Sequence, residues 1–150
     1  MAPDFRFRSV WRIGAEPDAV QAVLTDVAAY PQWWPSVVEG RLEASGEPGR
    51  REGSLGMRGP LPYTLRVRLT QMDAPDGVLA ARIRGDLLGW CSWHLSPSSD
   101  GGTCVVFQQH VILQRRSLRA IARVATGRLR ANHDAVMRAG EAGLRALLER

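Results

Sequence analysis

The sequence predicts an α+β fold in which a curved, seven-stranded antiparallel sheet packs against one long C-terminal helix. Three observations lead to it. The first segment alternates apolar and polar residues, as a half-buried strand does. Six further strand-like segments follow, joined by turns of hairpin length, and residues 117–150 then change to helical spacing. Strands followed by a helix favour α+β over a parallel sheet, and 150 residues fit a single domain spanning 1–150.

The N-terminal segment predicts a strand and two short helices. The inner face of the strand consists of Phe5, Phe7, Ser9, Trp11 and Ile13. Apolar residues at helical spacing begin after Pro17, which suits the first turn of a helix. Pro31 is expected to end that helix, because the residue before a proline disfavours helical backbone angles. A second short helix is expected through Trp33 and Trp34.

The middle of the chain predicts six strands. They lie in segments 37–46, 51–59 and 61–72, in two parts of 78–95 around a bend at 85–89, and in 103–113. Turns are expected at 46–50, 73–77 and 96–102, where Gly, Pro, Asp and Ser are frequent. Alternation places Tyr63 and Leu65 on the inner face of one strand, and Phe107 and Gln109 on the inner face of another.

The C-terminal segment predicts a long helix with two different faces. The first face is mainly apolar and carries Leu118, Ile121, Ala122, Ala125, Leu129, Asn132, Val136, Ala139, Gly140, Gly143 and Leu147. The opposite face carries Arg119, Arg123, Arg130, Arg138 and Arg145. Much of the first face is alanine or glycine. Such a thin stripe either lets the helix approach the sheet closely or leaves an internal cavity between them.

Three polar residues on inward faces favour the cavity. Asn132 lies within the apolar stripe of the helix, His133 lies at its edge, and Gln109 shares a strand face with apolar residues. A buried polar group without a partner costs about 1–3 kcal/mol. Each of the three could bond to another or to the backbone. Their convergence on one interior is better explained by a partly polar pocket.

Two adjacent tryptophans, Trp33 and Trp34, stand between Pro31 and Pro35. Both prolines limit the backbone freedom of this segment. The two indoles would either cap the mouth of a pocket or plug the end of the core. The sequence leaves both alternatives open.

The composition excludes several classes of protein. No apolar run approaches the length of a membrane span, and the N-terminus lacks the apolar stretch of a secretory signal, so a cytoplasmic location is expected. All twenty basic residues are arginine and are dispersed among acids, which does not favour a nucleic-acid partner. Cys91 and Cys104 are expected to be reduced. The cysteines and the three histidines have no metal-ligand spacing, so neither a metal nor a cofactor is expected.

The order of elements resembles the START-like or SRPBCC superfamily, in its bacterial polyketide cyclase/dehydrase-like branch. The stretches that carry the resemblance are DVAAYPQWWPSV, the hairpin GDLLGWCSWHLSPSSDGGTCVVF, and ANHDAVMRAGEAGLRALL in the final helix. The resemblance implies a helix-grip fold that encloses a cavity for an apolar or amphipathic small molecule. It matches Tyr30, Pro31, Trp33 and Trp34 to a segment near the cavity entrance and Trp93 to a hairpin tryptophan. It transfers no catalytic motif.

The function favoured by these features is the binding of a hydrophobic or amphipathic small molecule, such as a lipid, a quinone or a polyketide-like compound. The alternative is an aromatase/cyclase that acts on a poly-ketone intermediate, which requires a proton donor or acceptor beside the ligand. His133 and Tyr63 are the candidates for that role. Arg82 and Asp86 are further polar candidates, whereas strand alternation turns His94 outward.

The predicted cavity lining combines the inward-facing residues of the strands, the tryptophan pair and the helix. Its members are Phe7, Trp11, Trp33, Trp34, Tyr63, Leu65, Ile83, Trp93, Phe107, Gln109, Asn132 and Val136. A third hypothesis treats the arginine face of the final helix as a docking surface for an acidic partner such as an acyl carrier protein. The protein is expected to be a monomer or a homodimer.

Overall fold

The computed structural model describes residues 4–44, 46 and 48–150, and these residues confirm the α+β helix-grip fold. The strands are β1 (Asp4–Ile13), β2 (Val37–Ala44), β3 (Arg51–Met57), β4 (Leu65–Met72), β5 (Val78–Gly85), β6 (Leu87–Pro97) and β7 (Thr103–Leu113). The helices are α1 (Pro17–Thr25), α2 (Tyr30–Trp33) and α3 (Arg116–Leu148), with a 3₁₀ turn at Val27–Ala29. The sheet is antiparallel, in the order β1-β7-β6-β5-β4-β3-β2. No helix in the described ranges is long and apolar enough to cross a membrane.

Strand alternation sets the two faces of the sheet as predicted. In β1, Phe5, Trp11 and Ile13 are buried while the arginines between them are exposed. In β6, Trp93 is buried and His94 faces solvent. The apolar residues on the inner faces of the strands and the inner side of α3 form one core. This arrangement leaves one face of the sheet covered by helix and the other open to water.

Two predicted boundaries are wrong by more than two residues. Pro31 does not end the first helix. That helix stops at Thr25, and Pro31 lies in the first turn of α2, where an absent N–H costs no hydrogen bond. The predicted strand 61–72 begins only at Leu65, so Tyr63 lies in the β3–β4 loop. Prolines in that loop lack the N–H that a strand ladder requires.

The predicted turn 46–50 includes Glu47, and the predicted strand 37–46 includes Ser45; both lie outside the described residues.

Helix α3 is kinked and is buried on more than the predicted stripe. Ala125 has non-helical angles (φ −145°, ψ 44°) inside it, which a regular 100° periodicity does not anticipate. Met137 and Leu144 are also buried although they lie beside the stripe. The reason is that the C-terminal half of α3 contacts both α2 and β1, so it is covered from two directions.

The glycines of the C-terminal half of α3 allow close packing. A Cβ at Gly140 would lie 2.6 Å from Cε2 of Trp34 and 2.8 Å from Cη2 of Trp11. A Cβ at Gly143 would overlap the backbone carbonyl oxygen of Trp33. Close approach is therefore the correct explanation of the small residues in this half of the helix.

We expect Gly140→Ala to destabilise the protein by about 1–3 kcal/mol, because the added methyl group overpacks the contact with Trp34 and Trp11. Urea unfolding measures the change. Gly127→Ala is the matched control, since a Cβ there meets no atom within 4 Å. Alanine at that helical position should leave stability unchanged or raise it by about 0.5–1 kcal/mol. Equal effects of the two substitutions would contradict the close-packing explanation.

Candidate ligand-binding site

An internal cavity of about 150 Å³ lies between the concave face of the sheet and α3. Its walls come from β1 and β3–β7, from α2 and from the part of α3 between Leu118 and Met137. The lining is mainly aliphatic and aromatic. The cavity begins where the close contact between α3 and the tryptophans ends. Close approach of the helix therefore explains the small residues in the C-terminal half of α3, and a cavity is present beside the rest of the same helix.

Ten of the twelve residues predicted to line a cavity lie on its wall. They are Phe7, Trp34, Tyr63, Leu65, Ile83, Trp93, Phe107, Gln109, Asn132 and Val136. Trp11 and Trp33 are buried but lie outside the lining. Trp11 packs among Trp34, Trp93 and Gly140, while Trp33 packs against Tyr30. Both residues are part of the hydrophobic core behind the cavity wall.

Trp34 joins the core to the cavity. Its ring is 3 % exposed, and its Nε1–H donates a hydrogen bond of 2.8 Å to the backbone carbonyl of Val136 on α3. Trp33 is stacked on it, with ring centroids 5.4 Å apart. The pair therefore occupies the plug position, and Trp34 also presents a surface to the cavity.

His133 and Gln109 form a polar pair on the cavity wall. His133 Nε2 lies 3.0 Å from Gln109 Oε1. Because an amide oxygen accepts, the neutral tautomer that fits this contact carries its proton on Nε2. The imidazole stacks on Phe7, with ring centroids 3.6 Å apart. Burial lowers the pKa of His133 to about 4, more than the nearby carboxylate of Asp134 raises it. The ring is therefore neutral at pH 7, and its Nδ1 is buried without a partner among the described residues.

Asn132 links α3 to the β3–β4 loop. Its Oδ1 accepts a hydrogen bond of 2.9 Å from the N–H of Leu61, and its Nδ2 donates to the Tyr63 hydroxyl at 3.2 Å. Partial burial raises the pKa of Tyr63, although Arg115 and the bond from Asn132 oppose the change. Asn132 thus uses both ends of its amide to hold one end of the cavity closed.

Cys91 is a lining residue that the prediction missed. Burial raises the pKa of its thiol to about 12, so it is protonated and is not a nucleophile at pH 7. It lies two residues before Trp93 and therefore on the same inner face of β6, and this alternation could have identified it. Cys104 alternates with inward-facing Thr103 and Val105 on β7, which places it on the opposite face of the sheet. Both cysteines are free.

The other polar candidates lie away from the cavity. Asp86 accepts a hydrogen bond from the Arg66 N–H at the bend between β5 and β6, and lies 3.7 Å from the Arg115 guanidinium. His94 Nε2 lies 3.1 Å from the Ser92 hydroxyl on the outer face of β6. Arg82 is the cross-strand neighbour of Trp90, on the outer face of the sheet. The arrangement at the cavity can hold an apolar ring and offer it one neutral imidazole.

The buried imidazole should make stability depend on pH. Because the folded pKa of His133 is about 4 and the ordinary value is 6.5, the unfolded chain binds the proton more tightly. The stabilisation is complete above pH 6.5 and is lost as pH falls towards 4. We expect about 2 kcal/mol less stability from this group at pH 5 than at pH 7.5. Urea unfolding of wild type and His133→Gln checks this. An equal loss in both proteins would show that His133 is not responsible.

The chain matches known proteins along nearly its whole length. Residues 4–149 match the family described as "Polyketide cyclase / dehydrase and lipid transport". A comparison with curated proteins finds no significant match.

Solved structures have the same fold at low sequence identity. The Zhui aromatase/cyclase of Streptomyces sp. R1128 is 15 % identical, with a TM-score of 0.77 over 99 % of this chain and 95 % of the other. A START superfamily protein of Mycobacterium smegmatis is 12 % identical, with a TM-score of 0.77 over 96 % and 97 %. A STAR-related lipid transfer protein of Xanthomonas axonopodis is 24 % identical, with a TM-score of 0.55 over 93 % and 85 %.

Identities of this size support the shared fold and leave the ligand open. The match to the family model, by contrast, extends through every strand and helix described above. The chain therefore belongs to the polyketide cyclase/dehydrase and lipid transport family.

Proposed function

We propose that this protein binds a hydrophobic or amphipathic small molecule that contains a ring. The observation that carries the proposal is the cavity of about 150 Å³ with aromatic and aliphatic walls. Apolar surface removed from water gains roughly 25 cal/mol per Å². Trp93 and Phe107 lie on the wall where a flat ligand would contact them, and Phe7 lines the same wall with one ring face covered by His133.

The size of the cavity limits what it can hold in this conformation. A cavity of about 150 Å³ accommodates one benzene-sized ring. Pockets for larger ligands usually measure about 300–1,000 Å³. A lipid, quinone or polyketide-like compound would place one ring or chain end here, and its remainder would need further space.

The test is to fill the cavity and measure binding of toluene. Leu65→Trp adds an indole to the wall, and we expect it to lower toluene affinity at least tenfold, measured by calorimetry or NMR titration. Leu88→Trp is the matched control, because Leu88 is 40 % exposed and lies on the outer face of β6. The control should bind as wild type does. Failure of the wild-type protein to bind toluene would overturn the proposal.

Native mass spectrometry of the purified protein provides a second, independent test. A co-purifying lipid, quinone or polyketide would name the ligand class after extraction. Binding of toluene without any natural ligand would leave the class to be found by screening.

We also propose a second candidate function, an aromatase/cyclase, which the neutral and partly unpartnered His133 supports. A base removes a proton from the carbon between two carbonyl groups of a poly-ketone. The resulting enolate carbon bonds to a ketone carbon, the new alkoxide takes a proton, and water then leaves. Tyr63 is the proposed proton donor. If the protein is an enzyme, His133→Gln should abolish turnover of a poly-β-ketone while its binding persists, and Tyr63→Phe should slow it.

A docking partner and a location complete the proposal. An acyl carrier protein is the proposed acidic partner of α3, in a cytoplasmic protein that is a monomer or homodimer. Arg130 covers the ring of Phe5, and Arg145 bonds to the backbone of β1 and to Glu141. Arg119 is half-buried, so docking would depend on the exposed Arg123 and Arg138. Replacing both by alanine should abolish a salt-sensitive association with an acyl carrier protein.

A further inference from the structure

A second concave region of about 730 Å³, here called the outer groove, lies beside the internal cavity. One wall is α1 with the following 3₁₀ turn, and the other is built from the β2–β3 and β4–β5 hairpins. Four residues line both spaces: Tyr30, Leu69, Cys91 and Trp93. The two spaces are therefore separated by a single layer of side chains.

The separating layer is built around a tyrosine and a cysteine. Tyr30 is 3 % exposed, and its hydroxyl donates a hydrogen bond to the backbone carbonyl of Leu24 on α1. Burial, and to a smaller extent the nearby Cys91 thiol, raises the pKa of Tyr30. The thiol is small and uncharged, so the layer is thin where it stands. Tyr30 also packs against Trp33 and Trp34, so opening the layer requires its side chain to move away from both rings as well as from the Leu24 carbonyl.

The outer groove differs from the cavity in its chemistry. Its floor near the separating layer is apolar and includes Leu79 and Leu95. Its rim is polar, with Gln21 and Thr25 on α1 and Gln71 on β4. The amides of Gln21 and Gln71 can donate and accept hydrogen bonds without a charge. The Thr25 hydroxyl already donates to the Gln21 backbone carbonyl and is left as an acceptor.

Charged residues on the rim do not form an anion site. Arg50 donates hydrogen bonds to the carboxylate of Asp73 and to the backbone carbonyl of Gln71. Glu52 lies 3.6 Å from the Arg68 guanidinium. The groove also contains Asp18 and Asp76. Among the described residues, the groove lining holds four carboxylates, Asp18, Glu52, Asp73 and Asp76, and two guanidinium groups, Arg50 and Arg51. It therefore favours uncharged polar groups such as hydroxyls over carboxylates or phosphates.

We propose that the cavity and the outer groove form one binding site for an elongated amphipathic molecule, whose apolar ring occupies the cavity and whose uncharged, hydroxyl-bearing end lies in the groove. This rests on the proposed ligand-binding function and deepens it. The Tyr30–Cys91 layer is the passage between the two halves. The proposal supplies the space that a ligand larger than one ring requires, since the cavity alone is smaller than usual ligand pockets.

The experiment compares two probes that differ only in length and polar end. Toluene fits the cavity alone, whereas 6-phenylhexan-1-ol carries the same ring with a chain and a hydroxyl. Ala81→Leu narrows the groove next to the passage, because Ala81 lines the groove and is the cross-strand neighbour of Cys91. We expect about tenfold weaker binding of 6-phenylhexan-1-ol and unchanged binding of toluene. Ala131→Leu is the matched control, on an exposed position of α3.

A second variant covers the case in which Ala81→Leu does not fold. Gln21→Trp obstructs the opposite wall from an exposed position of α1 and should have the same selective effect. If toluene and 6-phenylhexan-1-ol bind the wild type and neither variant discriminates between them, the groove proposal is overturned and the cavity function stands. If the wild type binds neither probe, the proposed function fails and the groove proposal fails with it.

Discussion

The contact between two tryptophans and a glycine sets the geometry on which the rest of the structure depends. Trp11 and Trp34 lie against Gly140, and the Trp34 indole is hydrogen-bonded to the Val136 carbonyl. This contact fixes how closely α3 approaches the sheet at its C-terminal half. The sheet is curved and α3 is kinked at Ala125, so the two do not stay in contact along their whole length. The internal cavity is the space left where they separate.

The periodic parts of the fold could be predicted from the sequence, and the local irregularities could not. Alternation identified both faces of β1 and β6, because a strand repeats every two residues whatever its neighbours are. The kink at Ala125 has no such signal, and Pro31 fits the start of one helix as well as the end of another. Tyr63 lies in a loop and not in its predicted strand, because prolines interrupt the ladder of backbone hydrogen bonds. The kink and the position of Pro31 depend on tertiary contacts that periodicity does not contain, whereas the prolines beside Tyr63 are a local signal against the strand.

The residues that line the candidate site could be predicted from the sequence, but their hydrogen-bond partners could be predicted only in part. Gln109, Asn132 and His133 were identified as inward polar residues, yet their partners could not be assigned from spacing alone. Asn132 turned out to bond to the β3–β4 loop, whereas Gln109 bonds to His133. Asn132 thus has partners at both ends of its amide, Gln109 has one at its oxygen, and His133 Nδ1 has none among the described residues. The remaining selectivity for a ligand comes mainly from shape and from aromatic contacts.

The close contact of Gly140 with Trp11 and Trp34, here called the anchor, lies on one part of α3 and the cavity on another. This separation has a consequence for how such a protein can diversify. Residues around Gly140 tolerate little change in volume, because they are close-packed on every side. Residues such as Leu65 or Ile83 border empty space, where a larger or smaller side chain alters the hollow before it disturbs the anchor. Evolution can therefore change which molecule is held while the scaffold persists. One architecture can then serve catalysts and carriers alike, each with its own pattern of wall residues.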